Sequence, residues 1–190
     1  MIYATESMTN TDESLIERIN IGDDSAFELL VKKYQQKVFQ TCVGFVHNED
    51  DAADLTQEVF IRIYKRLHSF KGKSTFATWL YRISMNMSLN FLRKQKVKYL
   101  FMRIDQDQGE QEIISEERAD QNILRKDERK KIASILQKLT TAQRKAFVLS
   151  HYQELSNQEL ADVLEISVKA AESLLYRART RLREIVKENP

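Results

Sequence analysis

The sequence predicts an all-α protein built as two small helical domains joined by an acidic linker. Three observations carry that prediction. Apolar residues recur at helical rather than strand spacing along nearly the whole chain. Four glycines and one proline in 190 residues are too few for a turn-rich β protein. Residues 105–120 hold seven acids and one arginine with few large apolar side chains, and they separate two amphipathic clusters.

The elements follow in order. Leu15, Ile16 and Ile19 mark a short first helix, broken at Gly22-Asp23-Asp24, after which Ser25 and Glu28 offer a capping box. The next helix carries Phe27, Leu30, Val31, Tyr34 and Val38 on one stripe. Asn48 can cap a third, whose stripe is Ala52, Leu55, Val59, Ile63 and Leu67. A loop from Ser69 to Lys73 follows, and Ser74 can cap a fourth helix with Phe76, Leu80, Ile83, Met87 and Phe91 inward. These four helices make one bundle over residues 11–96. Residues 97–126 form a flexible acidic linker, whose charge can keep two basic modules from adhering to each other. A second cluster over residues 127–187 opens with Ile132, Ile135, Leu136 and Leu139.

Several chemistries are disfavoured. Cys42 stands alone among Phe39, Val43 and Val46, so no intramolecular disulfide can form, and a buried thiol in a reducing compartment is expected. His47, His68 and His151 lie scattered with no metal-ligand spacing, so no metal and no cofactor is expected. No apolar run approaches membrane-spanning length and the N-terminus lacks a signal-peptide core, which points to a cytoplasmic protein. Met8 is an alternative start to Met1. The acids Glu49, Asp50, Asp51, Asp54 and Glu58 resemble an acid–base cluster, but a helix N-terminus favours acids through its dipole without any chemistry. No enzyme is expected.

Two features point to nucleic acid. Over the 46 residues from Val59 to Ile104 there are eleven Lys or Arg and no Asp or Glu, in a chain otherwise balanced at 30 basic and 28 acidic residues. Aromatics are threaded through this stretch. Basic residues release counterions from a phosphate backbone, and exposed aromatics stack on unpaired bases. A solvated helical face over an aromatic core has the same composition, so composition alone leaves both readings open.

The second feature is a helix-turn-helix from Leu155 to Leu182. Ser156-Asn157-Gln158-Glu159 is a capping box, and Leu160, Ala161 and Leu164 give its helix a buried side. The turn Glu165-Ile166-Ser167 leads to a second helix that buries Val168, Ala171, Leu175, Ala178 and Leu182. Ala161 and Ala171 permit a close crossing. Lys169, Glu172, Ser173, Tyr176, Arg177 and Arg179 then face outward, followed by Arg181 and Arg183. In this motif the second helix lies in the major groove, where Arg177 can take a guanine, Glu172 a cytosine amino group, and the later arginines phosphates.

Asp54-Leu-Thr-Gln-Glu-Val-Phe60 followed by Phe70-Lys-Gly-Lys-Ser-Thr-Phe-Ala-Thr-Trp-Leu-Tyr-Arg-Ile83 closely resembles conserved region two of bacterial sigma factors. Leu139-Thr-Thr-Ala-Gln-Arg through Tyr176-Arg-Ala-Arg179 resembles their region four. The length leaves no room for the extra domains of a housekeeping sigma factor, so the chain resembles the extracytoplasmic-function (ECF) group. The resemblance implies that Asp54, Leu55, Gln57, Glu58 and Ile61 dock on core RNA polymerase. It further implies that Phe70, Lys71, Lys73, Ser74, Trp79, Arg82, Asn86 and Arg93 hold the unpaired −10 strand. The outward residues of the last helix would read the −35 duplex. Trp79 has two readings, packing or strand melting, and Phe70 either stacks on a base or braces its loop.

Two departures from the family pattern stand out. Housekeeping relatives carry two adjacent tryptophans where this chain has Trp79-Leu80, which implies weaker duplex opening. Many relatives have a basic residue where this chain has Glu172. The resemblance also implies an anti-sigma partner. The rival reading is a helix-turn-helix regulator acting without polymerase, which needs neither the Asp54–Phe60 helix nor a single-strand surface.

Overall fold

The computed structural model describes residues 10–105 and 131–188, and these are helical, with no strand among them. Thr11 caps α1 (Asp12–Asn20) by accepting from the Ser14 amide at 3.2 Å, and Leu15 and Ile16 turn inward. The chain then reverses at Gly22, whose φ of +95° suits glycine. The cap of α2 (Asp24–Val46) is Asp23, not the Ser25–Glu28 pair read from the sequence. Its carboxylate accepts from the Ser25 amide at 3.1 Å and from Arg18 Nε at 2.8 Å. Those bonds to Ser25 and Arg18 hold the Asp23 carboxyl below its usual range.

Asn48 caps α3 (Glu49–Arg66) as its sequence position suggested, accepting from the Asp50 and Asp51 amides at 2.9 and 3.0 Å. A 3-10 turn (Leu67–Ser69) leads to α4 (Phe76–Asp105). Thr75 rather than Ser74 caps α4, its hydroxyl accepting from the Thr78 amide at 3.2 Å. At 30 residues α4 is about 45 Å long, and it continues as helix through residues 97–105, beyond the stretch read as bundle. Leu30, Tyr34 and Val38 meet Ala52, Leu55, Val59, Ile63, Leu67, Phe76, Leu80 and Met87 in the first core. Cys42 is buried there, and burial pushes its thiol pKa up.

The second module begins with a helical segment, α5, over residues 131–137. Thr140 and Gln143 form a reciprocal capping box that starts α6 (Thr141–Gln153). Arg144 donates to the carbonyls of Leu136 and Gln137 at 3.0 and 3.3 Å, satisfying the open C-terminal end of α5. The Ser156–Glu159 capping box starts α7 (Asn157–Leu164), and Glu165 in the left-handed region (φ 58°) turns the chain into α8 (Val168–Glu188). Leu136, Leu139 and Ala178 form a small core beneath α5 and α8.

The two modules are packed against each other, contrary to the expectation that linker charge keeps them apart. Phe45, Tyr81 and Met85 of the first bundle are buried in one cluster with Ala146, Val148, Leu149, Leu160, Ala161 and Val163 of the second. Gly44 permits the approach: a Cβ there would lie 2.7 Å from Val148 Cγ1 and 2.8 Å from the Tyr152 ring. Gln153 Nε2 donates across the junction to the Lys37 carbonyl at 2.9 Å. Like-charge repulsion does not prevent this contact: its centre is apolar, and Arg82, the basic side chain at its edge, is matched by Glu165 and by backbone carbonyls of the second module. Burial pushes the Tyr81 hydroxyl up to about 12 and holds His47, also near Arg144, down to about 4.

Candidate nucleic-acid and polymerase interfaces

The α3 surface presents Asp54, Gln57 and Glu58 to solvent, with Ile61 54% exposed beside them. Leu55 differs: it is 4% exposed and belongs to the bundle core, so it supports this surface from beneath. Ile61 lies between Glu58 and the basic side chains of Arg62 and Lys65, so this part of α3 is an exposed apolar residue among charges of both signs. The acids at the start of α3 are accounted for by the helix dipole and the Asn48 cap. Among the described residues no group of three or more His, Cys, Asp or Glu is placed to hold a metal.

The loop before α4 is organised by its aromatic residues. Phe70 packs tilted on Trp79, with centroids 5.3 Å apart, and edge-on to Phe76 at 6.0 Å; Phe76 in turn meets Tyr34 at 5.4 Å. Phe70 and Trp79 are therefore half-buried partners that hold the loop against the bundle. Lys71 and Lys73 stand exposed on either side of Gly72 (φ +65°), with Ser74 half-buried after them. Asn86 and Arg93 are exposed further along α4. Arg82, which the sequence places with them, is turned to the second module. It donates to the carbonyls of Asp162 and Val163 (3.2 Å for the latter) and pairs with Glu165 at 3.0 Å.

The α7–α8 pair has the geometry expected of a helix-turn-helix. Ala171 and Leu175 are buried against Leu160 and Ala161 of α7, and Ala178, further along α8, is buried against Leu136 and Leu139. Lys169, Glu172, Ser173, Tyr176, Arg177 and Arg179 all lie exposed on one helix, with Tyr176 70% exposed. Two of these side chains are tethered. Glu172 Oε1 accepts from Asn157 Nδ2 at 3.1 Å, and Arg177 Nε donates to the Ser173 carbonyl at 3.2 Å. Sequence reasoning missed the roles of Asn157, Arg82, Gly44 and Gln153. Of these only Gly44, a glycine within a helical pattern, left a signal in the sequence.

A basic, aromatic-braced loop in one module and a helix-turn-helix in the other define a protein that handles both unpaired and duplex DNA. Comparison with known proteins agrees. Residues 30–97 match the family Sigma-70 region 2, and residues 129–182 match Sigma-70, region 4. The chain is 35% identical to the RNA polymerase sigma-H factor of Pseudomonas aeruginosa over 176 residues, covering 88% of this chain and 90% of that one. It is 34% identical to the ECF RNA polymerase sigma-E factor of Escherichia coli over 174 residues, 89% and 91% of the two chains. CnrH, solved in complex with the cytosolic domain of CnrY, superposes with a TM-score of 0.72 at 26% identity, over 94% of this chain and 99% of that one. The Bartonella quintana sigma factor RpoE, solved with the anti-sigma factor NepR, shares the fold at a TM-score of 0.60 and 22% identity, over 86% and 98%.

The chain belongs to the ECF RNA polymerase sigma factors. As such it binds core RNA polymerase, recognises −35 and −10 promoter elements and promotes strand opening. A stand-alone helix-turn-helix regulator is not favoured, because the region 2 match covers residues 30–97, most of the first bundle.

Proposed function

We propose that the three sigma-factor tasks are divided over this chain as follows. Asp54, Gln57, Glu58 and Ile61 dock on core polymerase, with Leu55 holding their helix in place. Phe70, Lys71, Lys73, Ser74, Trp79, Asn86 and Arg93 hold the unpaired −10 strand, and Arg82 joins them when it is released from the second module. Lys169, Glu172, Ser173, Tyr176, Arg177 and Arg179 engage the −35 duplex. The first two tasks belong to residues 11–96 and the last to residues 127–187, with the acidic connector between.

The observation that carries this reading is the shared exposure of all six α8 residues on a helix whose opposite side is buried in the module. A −35 reader needs that arrangement, because its positioning contacts go to phosphates while its specific ones go to base edges. Chemistry at the phosphodiester bond belongs to the polymerase, and this chain contributes recognition and base capture. The reading places the protein in the cytoplasm; no helix among the described residues is long and apolar enough to cross a membrane. An anti-sigma partner is part of the proposal, supported by the CnrH neighbour, which carries a second protein. In vitro transcription with core polymerase and a genomic fragment library tests the whole assignment. Promoter-specific starts with permanganate-reactive thymines near them are expected. Their absence with active core polymerase would refute it.

A further inference from the structure

We propose that Asn157 is a specificity-determining positioning residue for −35 recognition, acting by aiming the Glu172 carboxylate at a base edge. The inference rests on the assignment of α8 to the major groove and adds to it a residue on the other helix of the motif.

Glu172 presents a problem on a DNA-facing helix. A free carboxylate there samples many rotamers, most of them near phosphates that repel it, and any one productive pose must be bought with side-chain entropy. The structure removes much of that freedom. Asn157 is the first residue of α7, where its backbone is fixed by the Ser156–Glu159 capping box. Its Nδ2 donates to Glu172 Oε1 at 3.1 Å across the turn of the motif. Glu172 therefore enters the groove already ordered, with one oxygen engaged and the other free to accept. A carboxylate offers about four acceptor sites, so a bond to Asn157 leaves capacity for a base. In the major groove the donors are the cytosine N4 and adenine N6 amino groups. Acids characteristically take the cytosine, because adenine places its N7 acceptor beside the donor and repels them.

The neighbouring reader is organised in the same way. Arg177 Nε is held by the Ser173 carbonyl of its own helix at 3.2 Å, which leaves the outer guanidinium nitrogens for a guanine. The two readers are thus oriented by different means: Arg177 by its own helix backbone, Glu172 by a side chain of α7. A substitution at Asn157 separates them.

The experiment uses holoenzyme reconstituted from full-length chain and core polymerase, transcribing a promoter library randomised across the −35 element. Glu172→Gln locates the position that Glu172 reads. Asn157→Ala and Asn157→Asp should then each lower the cytosine preference at that same position by roughly fivefold, leaving the other positions unchanged. Asn157→Asp keeps the shape and suits a helix N-terminus, so a loss of folding does not confound it. The double variant Asn157→Ala with Glu172→Gln should lose no more than Glu172→Gln alone. The proposal is overturned if the Asn157 variants leave that position unchanged, if they weaken all −35 sequences alike as a phosphate contact would, or if Glu172→Gln alters no position. Arg177→Ala is the control for the underlying assignment. If it too alters no base preference, α8 does not read the groove at all, whereas a shift at its own position keeps that assignment whatever Asn157 does.

Discussion

Asp54 projects from α3 into solvent, while Leu55, next in the chain, is 4% exposed within the bundle core. Substitutions at the two positions should therefore act on different quantities. Asp54→Arg should weaken association with core polymerase by about 2 kcal/mol, as for a truncated hot spot, with thermal stability unchanged. Leu55→Ala should instead destabilise the chain by about 2–5 kcal/mol through a cavity. Co-purification with core polymerase and thermal unfolding separate the two, and Asp54→Arg retaining full association would remove this surface from the interface. The periodicity that marks Leu55 as inward was available in the sequence, and Leu55 is buried as it implied. Side-chain tethers such as Asn157 to Glu172 were not legible, because they join residues 15 apart through a turn whose geometry no local pattern specifies.

Among the elements, α4 shows best where sequence reading succeeds and where it stops. Its Phe76–Leu80–Met87 stripe was legible and forms the first core. Its second apolar side, with Tyr81, Met85, Leu89 and Leu92, was not recognised as a packing face in the sequence. A helical period reveals which residues share a side but not how many sides are covered. The caps show a similar limit: the capping serine or threonine of α7 and of α6 falls at the start of its box, while Asp23 and Thr75, not the nearby serines, accept from the first amides of α2 and α4. For the function of α4, Asn86→Ala should slow opening of duplex promoters. The defect should be smaller on a template already mismatched at −10, where a few kcal/mol of unpairing has been removed. Open-complex kinetics on the two templates check this, and an equal defect on both would place Asn86 outside base capture.

At the scale of the whole molecule, the two modules meet at Gly44, and the space there is filled by Val148 and Tyr152. Gly44→Leu should drive them apart, since overpacking costs about 1–3 kcal/mol and the chain can relieve it by opening. Small-angle scattering should show a larger radius of gyration with helical circular dichroism preserved; an unchanged radius would mean that the junction adapts. Acid should loosen the same region. His47, whose Nε2 is buried without a hydrogen-bond partner among the described residues, has its pKa held near 4 by burial and by Arg144. The unfolded chain takes up that proton from about pH 6.5 downward. Between pH 6.5 and 4 the unfolded state binds more protons, so stability falls as pH drops through this window and is unaffected above it. Asp23, hydrogen-bonded to Ser25 and Arg18, and Glu159, hydrogen-bonded to Ser156, are held below their ordinary carboxylate values, so what they contribute is likewise lost as pH falls. His47→Gln should therefore flatten the decline in melting temperature between pH 7 and 5. The packing of the modules was the least legible part of the fold, because it depends on pairing two surfaces far apart in sequence.

The contact of Arg82 with the carbonyls of Asp162 and Val163 sets a length that a promoter cannot satisfy. Elements centred at −10 and −35 lie about 25 base pairs apart, roughly 85 Å along B-DNA. An α4 that touches α7 brings the two modules together, so on the proposed assignment the junction has to part before one chain engages both elements. The affinity of the free chain for a whole promoter is then its intrinsic affinity multiplied by the fraction of molecules that are open. Each 1.4 kcal/mol of junction free energy lowers that fraction about tenfold. Any partner that holds the modules apart restores the same factor, so promoter affinity and partner affinity become linked quantities even though they reside on separate surfaces.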